Sequence, residues 1–102
     1  MTDLPADAIR VVATIPVKPD SADVARAALA DLASASLAED PGCLQYEAFE
    51  SGAVPGLFIT VEAWASEADM NAHMGAPHIA EAFAVLGGLI DGDVALHPLR
   101  PV

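Results

Sequence analysis

The side chains able to exchange a proton near neutral pH are the three histidines, His73, His78 and His97. His73 follows Trp64 by nine residues, in the stretch Met70-Asn71-Ala72-His73. In an apolar cavity it would act as a general base; at a helix C-terminus it would instead cap free carbonyls and meet the helix dipole. His78 comes five residues later, beyond a Gly-Ala-Pro break. It reads either as a second polar group at a cavity mouth or as a solvent-facing side chain. His97 reads as an ordinary strand residue. Glu62, flanked by Val61 and Ala63, would have a raised pKa if buried and would then orient a histidine or take a proton. Its alternative role is a cross-strand partner for Arg or Lys at a sheet rim. Trp64 shares a strand face with Glu62, Thr60 and Phe58, as a core anchor, as an aromatic wall whose indole N–H donates to a substrate oxygen, or as both.

Other chemistries lack their residues. There is no G-x-S-x-G elbow, no G-x-G-x-x-G and no phosphate-binding loop, so serine hydrolysis and nucleotide cofactors are not indicated. Cys43 is the one cysteine and has no basic neighbour in sequence, so it reads as a small buried hydrophobe. The spacing of His73 and His78 is not the i,i+4 clip of a single helix, and neither a metal nor any other cofactor is expected. Fifteen acidic and four basic residues give a net charge of −11, which disfavours nucleic acid and anionic membranes as partners. No apolar run approaches the length of a membrane span, and Met1-Thr2-Asp3-Leu4-Pro5 lacks the basic and apolar regions of a signal peptide. A cytoplasmic location is expected.

The elements that must position these residues form one domain, residues 1–102. Ile9, Val11, Ala13, Ile15 and Val17 alternate as a half-buried strand, with Pro16 placed at its end or on an edge. Lys18-Pro19-Asp20-Ser21 turns the chain and offers Asp20 or Ser21 as the cap of a helix over 22–39. Ala25, Ala28, Leu29 and Leu32 form its apolar stripe, and Asp40-Pro41-Gly42 stops it. Strands over 43–50 and 57–64 flank a hairpin loop; in the first, Leu44, Tyr46 and Ala48 share one face and Cys43, Gln45, Glu47 and Phe49 the other. Ser66-x-x-Asp69 opens a short helix ending at His73 or Met74, and Pro77 begins another that runs to Leu86. A weakly patterned strand over 93–99 closes the chain. This βαββαβ order predicts an α+β, ferredoxin-like fold: a four-stranded antiparallel sheet with helices on one face. Whichever face the helices take, the opposite one retains apolar residues, Leu44 and Tyr46 or Ile59 and Val61, so a homodimer with sheets packed face to face is expected.

Several local patterns then fall into a known order: Val17-Lys18-Pro19, Asp40-Pro41-Gly42-Cys43-Leu44-Gln45-Tyr46-Glu47, Phe58 leading to Glu62-Ala63-Trp64, Met70-Asn71-Ala72-His73, Pro77-His78, and Phe83. From Ile9 to Leu99 the chain resembles the antibiotic biosynthesis monooxygenase domain, including the small quinol monooxygenases. The resemblance implies a dimeric α+β barrel whose protomers each hold a cavity between sheet and helices. It also implies chemistry ranging from oxygenation without flavin, haem or metal to haem degradation and isomerisation, so the site must be argued separately. Haem-degrading relatives use an asparagine, a tryptophan and a histidine where this chain pairs Val12, His73 and Phe83, which disfavours that activity.

With the resemblance, the expected activity is a cofactor-independent monooxygenase or oxidase acting on a small hydroquinone or polycyclic phenol with O2. His73 is the expected base and Glu62 or His78 its partner, with Trp64, Phe58 and Phe83 as walls of the pocket. Deprotonation makes the substrate electron-rich enough to reduce O2, and the protein supplies an apolar pocket and oxyanion donors. An isomerase of the same fold and a non-catalytic ligand-binding dimer are the alternatives.

Overall fold

A computed structural model describes residues 4–102, so the reading of Met1, Thr2 and Asp3 lies outside the described residues. Strand β1 (Ile9–Pro16) leads through a 3₁₀ turn (Pro19–Ser21) into helix α1 (Ala22–Glu39). Strands β2 (Cys43–Glu50) and β3 (Leu57–Trp64) form the hairpin, followed by α2 (Glu67–Met74), α3 (Pro77–Leu86) and β4 (Ala95–Leu99). The sheet is antiparallel, in the order β2-β3-β1-β4. This is the expected ferredoxin-like α+β fold.

The alternation of β1 places Val11, Ala13 and Ile15 against the helices. Register brings Glu62 of β3 between Val11 of β1 and Tyr46 of β2, and Thr60 between Ala13 and Ala48. Ala25, Leu29 and Leu32 of α1 and Leu86 of α3 complete the core. Each buried leucine contributes roughly 2 kcal/mol through apolar surface removed from water. Pro16 closes β1, where its missing N–H interrupts no further ladder.

Three local expectations are corrected. Neither Asp20 nor Ser21 caps α1 through its side chain. The 3₁₀ turn runs directly into the helix, with Ser21 N–H donating to Lys18 O at 2.8 Å, so backbone carbonyls already serve these amides. In β2, a register shift between Cys43 and Gln45 leaves Cys43 opposite the inward-facing Trp64. The extra residue of the bulge turns Cys43 to the core side, away from Gln45 and Glu47. Finally, β4 begins at Ala95, not residue 93, because Gly92 (φ +133°) redirects the chain just before it. The cap of α2 does form: Ser66 Oγ accepts from Asp69 N–H at 3.1 Å and donates to Asp69 Oδ2 at 3.0 Å.

Candidate active site

Asp40, the C-cap of α1, lies 33 residues from His73 at the end of α2 and 38 from His78 at the start of α3. The fold brings the three together. His73 Nδ1 is 2.6 Å and His78 Nε2 2.8 Å from the same oxygen, Asp40 Oδ2. Burial pushes the Asp40 carboxyl up, but hydrogen bonds from His73 and His78 outweigh it and hold the group below its ordinary value. An ionised carboxylate only accepts, so both ring nitrogens facing it carry the proton. That choice of tautomer leaves the lone pair of neutral His73 on Nε2.

His73 is 2% exposed and lines a cavity of about 70 Å³ between sheet and helices, open at one end. Ala13, Tyr46, Thr60, Glu62 and Phe83 form its inner walls. Met74, Val94 and Leu96, each more than a third exposed, form its rim. Trp64 stacks against His73 with centroids 4.5 Å apart, and Tyr46 lies 5.3 Å from it. Burial, together with the charge of Glu62, pushes the Tyr46 phenol well above its ordinary range, so Tyr46 acts as a neutral donor.

Glu62 is buried and accepts from Thr60 Oγ1 at 2.7 Å and Trp64 Nε1 at 3.2 Å. These bonds replace the rim ion pair that was its alternative role. They also show that its partners are Thr60 and Trp64, not His73, and that the Trp64 indole N–H is occupied by Glu62.

The structure therefore brings His73, Glu62 and Phe83 to one cavity and places the other named residues elsewhere. His78 is buried on the far side of Asp40 and lines outer depressions with Glu39 and Glu81, not the cavity mouth. The short α2–α3 connection turns its ring back toward α1. Trp64 lies behind His73, and Phe58, four residues along β3 from Glu62, lines a separate depression with Leu29 and Phe49. Phe58 is therefore not among the residues that wall the cavity, although its cross-strand partner Ile15 is. Val12 pairs with Val61 and His97 on the outer sheet face; the β1 residues facing the cavity are Ala13 and Ile15.

Asp40, Tyr46 and Thr60 were not singled out from the sequence. Asp40 did carry a signal, since a carboxylate at a helix C-terminus opposes the dipole and needs another reason to be there. The spacing of His73 and His78 excluded a one-helix metal clip, but not a cluster assembled from three elements. Asp40, His73 and His78 present one ligand atom each within 4.8 Å of one another.

A profile of the family described as antibiotic biosynthesis monooxygenase matches residues 8–85. A Mycobacterium tuberculosis protein provisionally named monooxygenase Rv0793 is 32% identical over 94 residues, covering 92% of this chain and 91% of its own length. The crystal structure of a provisionally named antibiotic biosynthesis monooxygenase from Caulobacter crescentus superposes with a TM-score of 0.87 at 32% identity. It covers 93% of this chain and 90% of that one. The structure of Rv0793 gives a TM-score of 0.82 at 27% identity, with 94% and 96% covered. With its sheet order and the span of these matches, the chain belongs to the antibiotic biosynthesis monooxygenase family.

Proposed function

We propose that this protein is a cofactor-independent monooxygenase of small hydroquinones, with the Asp40–His73 pair as its proton-abstracting unit. The observation that carries this reading is the partly buried 2.6 Å contact between His73 Nδ1 and Asp40. It orients an imidazole whose ring lines an apolar cavity, and it stabilises the imidazolium that forms when Nε2 takes a proton. The hydroquinone anion then reduces O2. In a balanced turnover, hydroquinone and O2 give hydroxyquinone and water, one oxygen atom entering the ring and the other leaving with the hydrogens. Tyr46, which lines the same cavity, would donate its hydroxyl hydrogen to the developing oxyanion.

The cavity also bears on size. A space of about 70 Å³ is smaller than the roughly 150 Å³ engineered cavity that accepts benzene. A single ring enters once the exposed Met74, Val94 and Leu96 rim moves outward; a polycyclic phenol would require displacement of the sheet or α3. Phosphorylated isomerase substrates fit poorly, because none of Arg10, Lys18, Arg26 and Arg100 lines the cavity.

The test is oxygen uptake by chelator-treated protein with a panel of substituted hydroquinones, beside His73→Ala and heat-killed controls. Saturable uptake lost in His73→Ala supports the reading, and catalase separates water-forming oxygenation from peroxide-forming oxidation. Rates equal to the heat-killed control with every ring size would remove it.

A further inference from the structure

We propose that Asp40, His73 and His78 also form a binding site for a divalent transition-metal ion, with Zn2+ as the probe. The inference goes beyond the base reading and does not depend on it. Two imidazoles and a carboxylate are a donor set suited to zinc, cobalt or nickel. The three ligand atoms converge to within 4.8 Å, from the C-cap of α1, from α2 and from α3. Tetrahedral zinc, with bonds near 2.0–2.2 Å, needs neighbouring ligand atoms roughly 3.3 Å apart. The present 2.6 and 2.8 Å contacts would therefore open by about 0.5–0.7 Å, and the widest separation in the cluster would close, as the ion replaces the bridging protons.

The surroundings match what such an ion requires. His78 Nδ1, the nitrogen not aimed at Asp40, lies 3.5 Å from Glu39 Oε2. A carboxylate on the non-ligating nitrogen fixes a metal-bound imidazole and raises its basicity. Asp40 and His78 also line an outer depression of about 370 Å³ with Glu39, Ala76, Pro77 and Glu81. That depression contains three carboxylates and no basic side chain except His78, in a chain of net charge −11. A cation is drawn to it. Substrate, in contrast, would occupy the cavity on the other side of His73.

Occupancy has a chemical consequence at His73. Coordination through Nδ1 moves the ring proton of the neutral imidazole to Nε2. On the base reading above, the nitrogen that would accept the substrate proton becomes a donor, so the ion would turn that base off; the binding site itself stands without this consequence.

The experiment is a calorimetric titration of the full, chelator-treated chain with ZnCl2 near pH 7.5, with imidazole 15N spectra recorded in parallel. One ion should bind per chain, moving the His73 Nδ1 and His78 Nε2 resonances and leaving His97 unchanged. His78→Gln, which retains a donor toward Asp40, should weaken binding at least about tenfold, and Glu39→Gln by about 10–100-fold. The wild-type spectra keep the test decisive if a variant fails to fold. Absence of saturable binding below about 100 μM would overturn the proposal. So would a zinc-dependent shift confined to His97, or unchanged affinity in a folded His78→Gln protein.

Discussion

At the scale of the residue, Asp40 accepts hydrogen bonds from two buried imidazoles through one oxygen. Truncation by Asp40→Ala leaves two buried N–H groups without an acceptor, and urea unfolding should show a loss of about 2–4 kcal/mol. The pH dependence has a definite sign. The folded carboxyl lies below its ordinary value of 3.8, so its contribution is present above that value and is lost as pH falls through the folded pKa. The stability gap between wild type and Asp40→Asn should therefore narrow as pH falls below about 4, as followed by denaturant melts at each pH. Cys43 gives an independent check on the same region. Burial, with the nearby charges of Asp40 and Glu62, pushes its thiol to about 11. Alkylation by iodoacetamide at pH 8 should be many times slower in the folded protein than in urea. His73 and Glu62 were legible as candidates because each combines a chemically versatile side chain with an apolar local setting. Their partners were not, since Asp40 reads locally as a helix-stopping turn and meets His73 only through the packing of α1 against the later helices.

At the scale of the element, local rules fixed most boundaries. The alternation of β1, the cap at Ser66 and Pro77 at the start of α3 depend on neighbours in sequence. The bulge at Cys43 does not, and it changes which residues face the core. Bulges arise from pairing between strands, which no period within β2 announces. The β2–β3 loop supplies a sharper dependence. Gly56 has φ +80°, and a Cβ there would collide with the carbonyl oxygen of Val17, whose own N–H donates to Gly56 O at 2.8 Å. Gly56→Ala combines left-handed strain with a backbone clash, and thermal melts should register at least about 1–3 kcal/mol of destabilisation. Ser66→Ala, which removes only a cap, should cost about 1 kcal/mol by the same measurement.

At the scale of the molecule, the sheet has one face covered by helices and another carrying Val12, Ile59 and Val61, with Phe49 51% and Leu99 48% exposed. Neighbouring side chains only half-cover these residues, which are interspersed with Arg10, Glu47 and His97 across the four strands, and a second sheet would remove their apolar surface from water. The pairing expected from the sequence therefore retains its physical motive in the structure. Val61 lies opposite Val12 on one side and Glu47 on the other, near the middle of that face. Replacing it with lysine would bury a charge at the centre of a sheet-to-sheet contact while leaving it hydrated in a single chain. Light scattering after gel filtration should thus give twice the chain mass for wild type and the single mass for Val61→Lys, with near-native circular dichroism in both. A wild-type protein that stays at the single mass at about 100 μM would show that the face tolerates water, and the homodimer would have to be abandoned. Retention of the dimer by a folded Val61→Lys protein would place the contact elsewhere. Either result leaves the Asp40–His73 arrangement intact, because every residue in it comes from one chain.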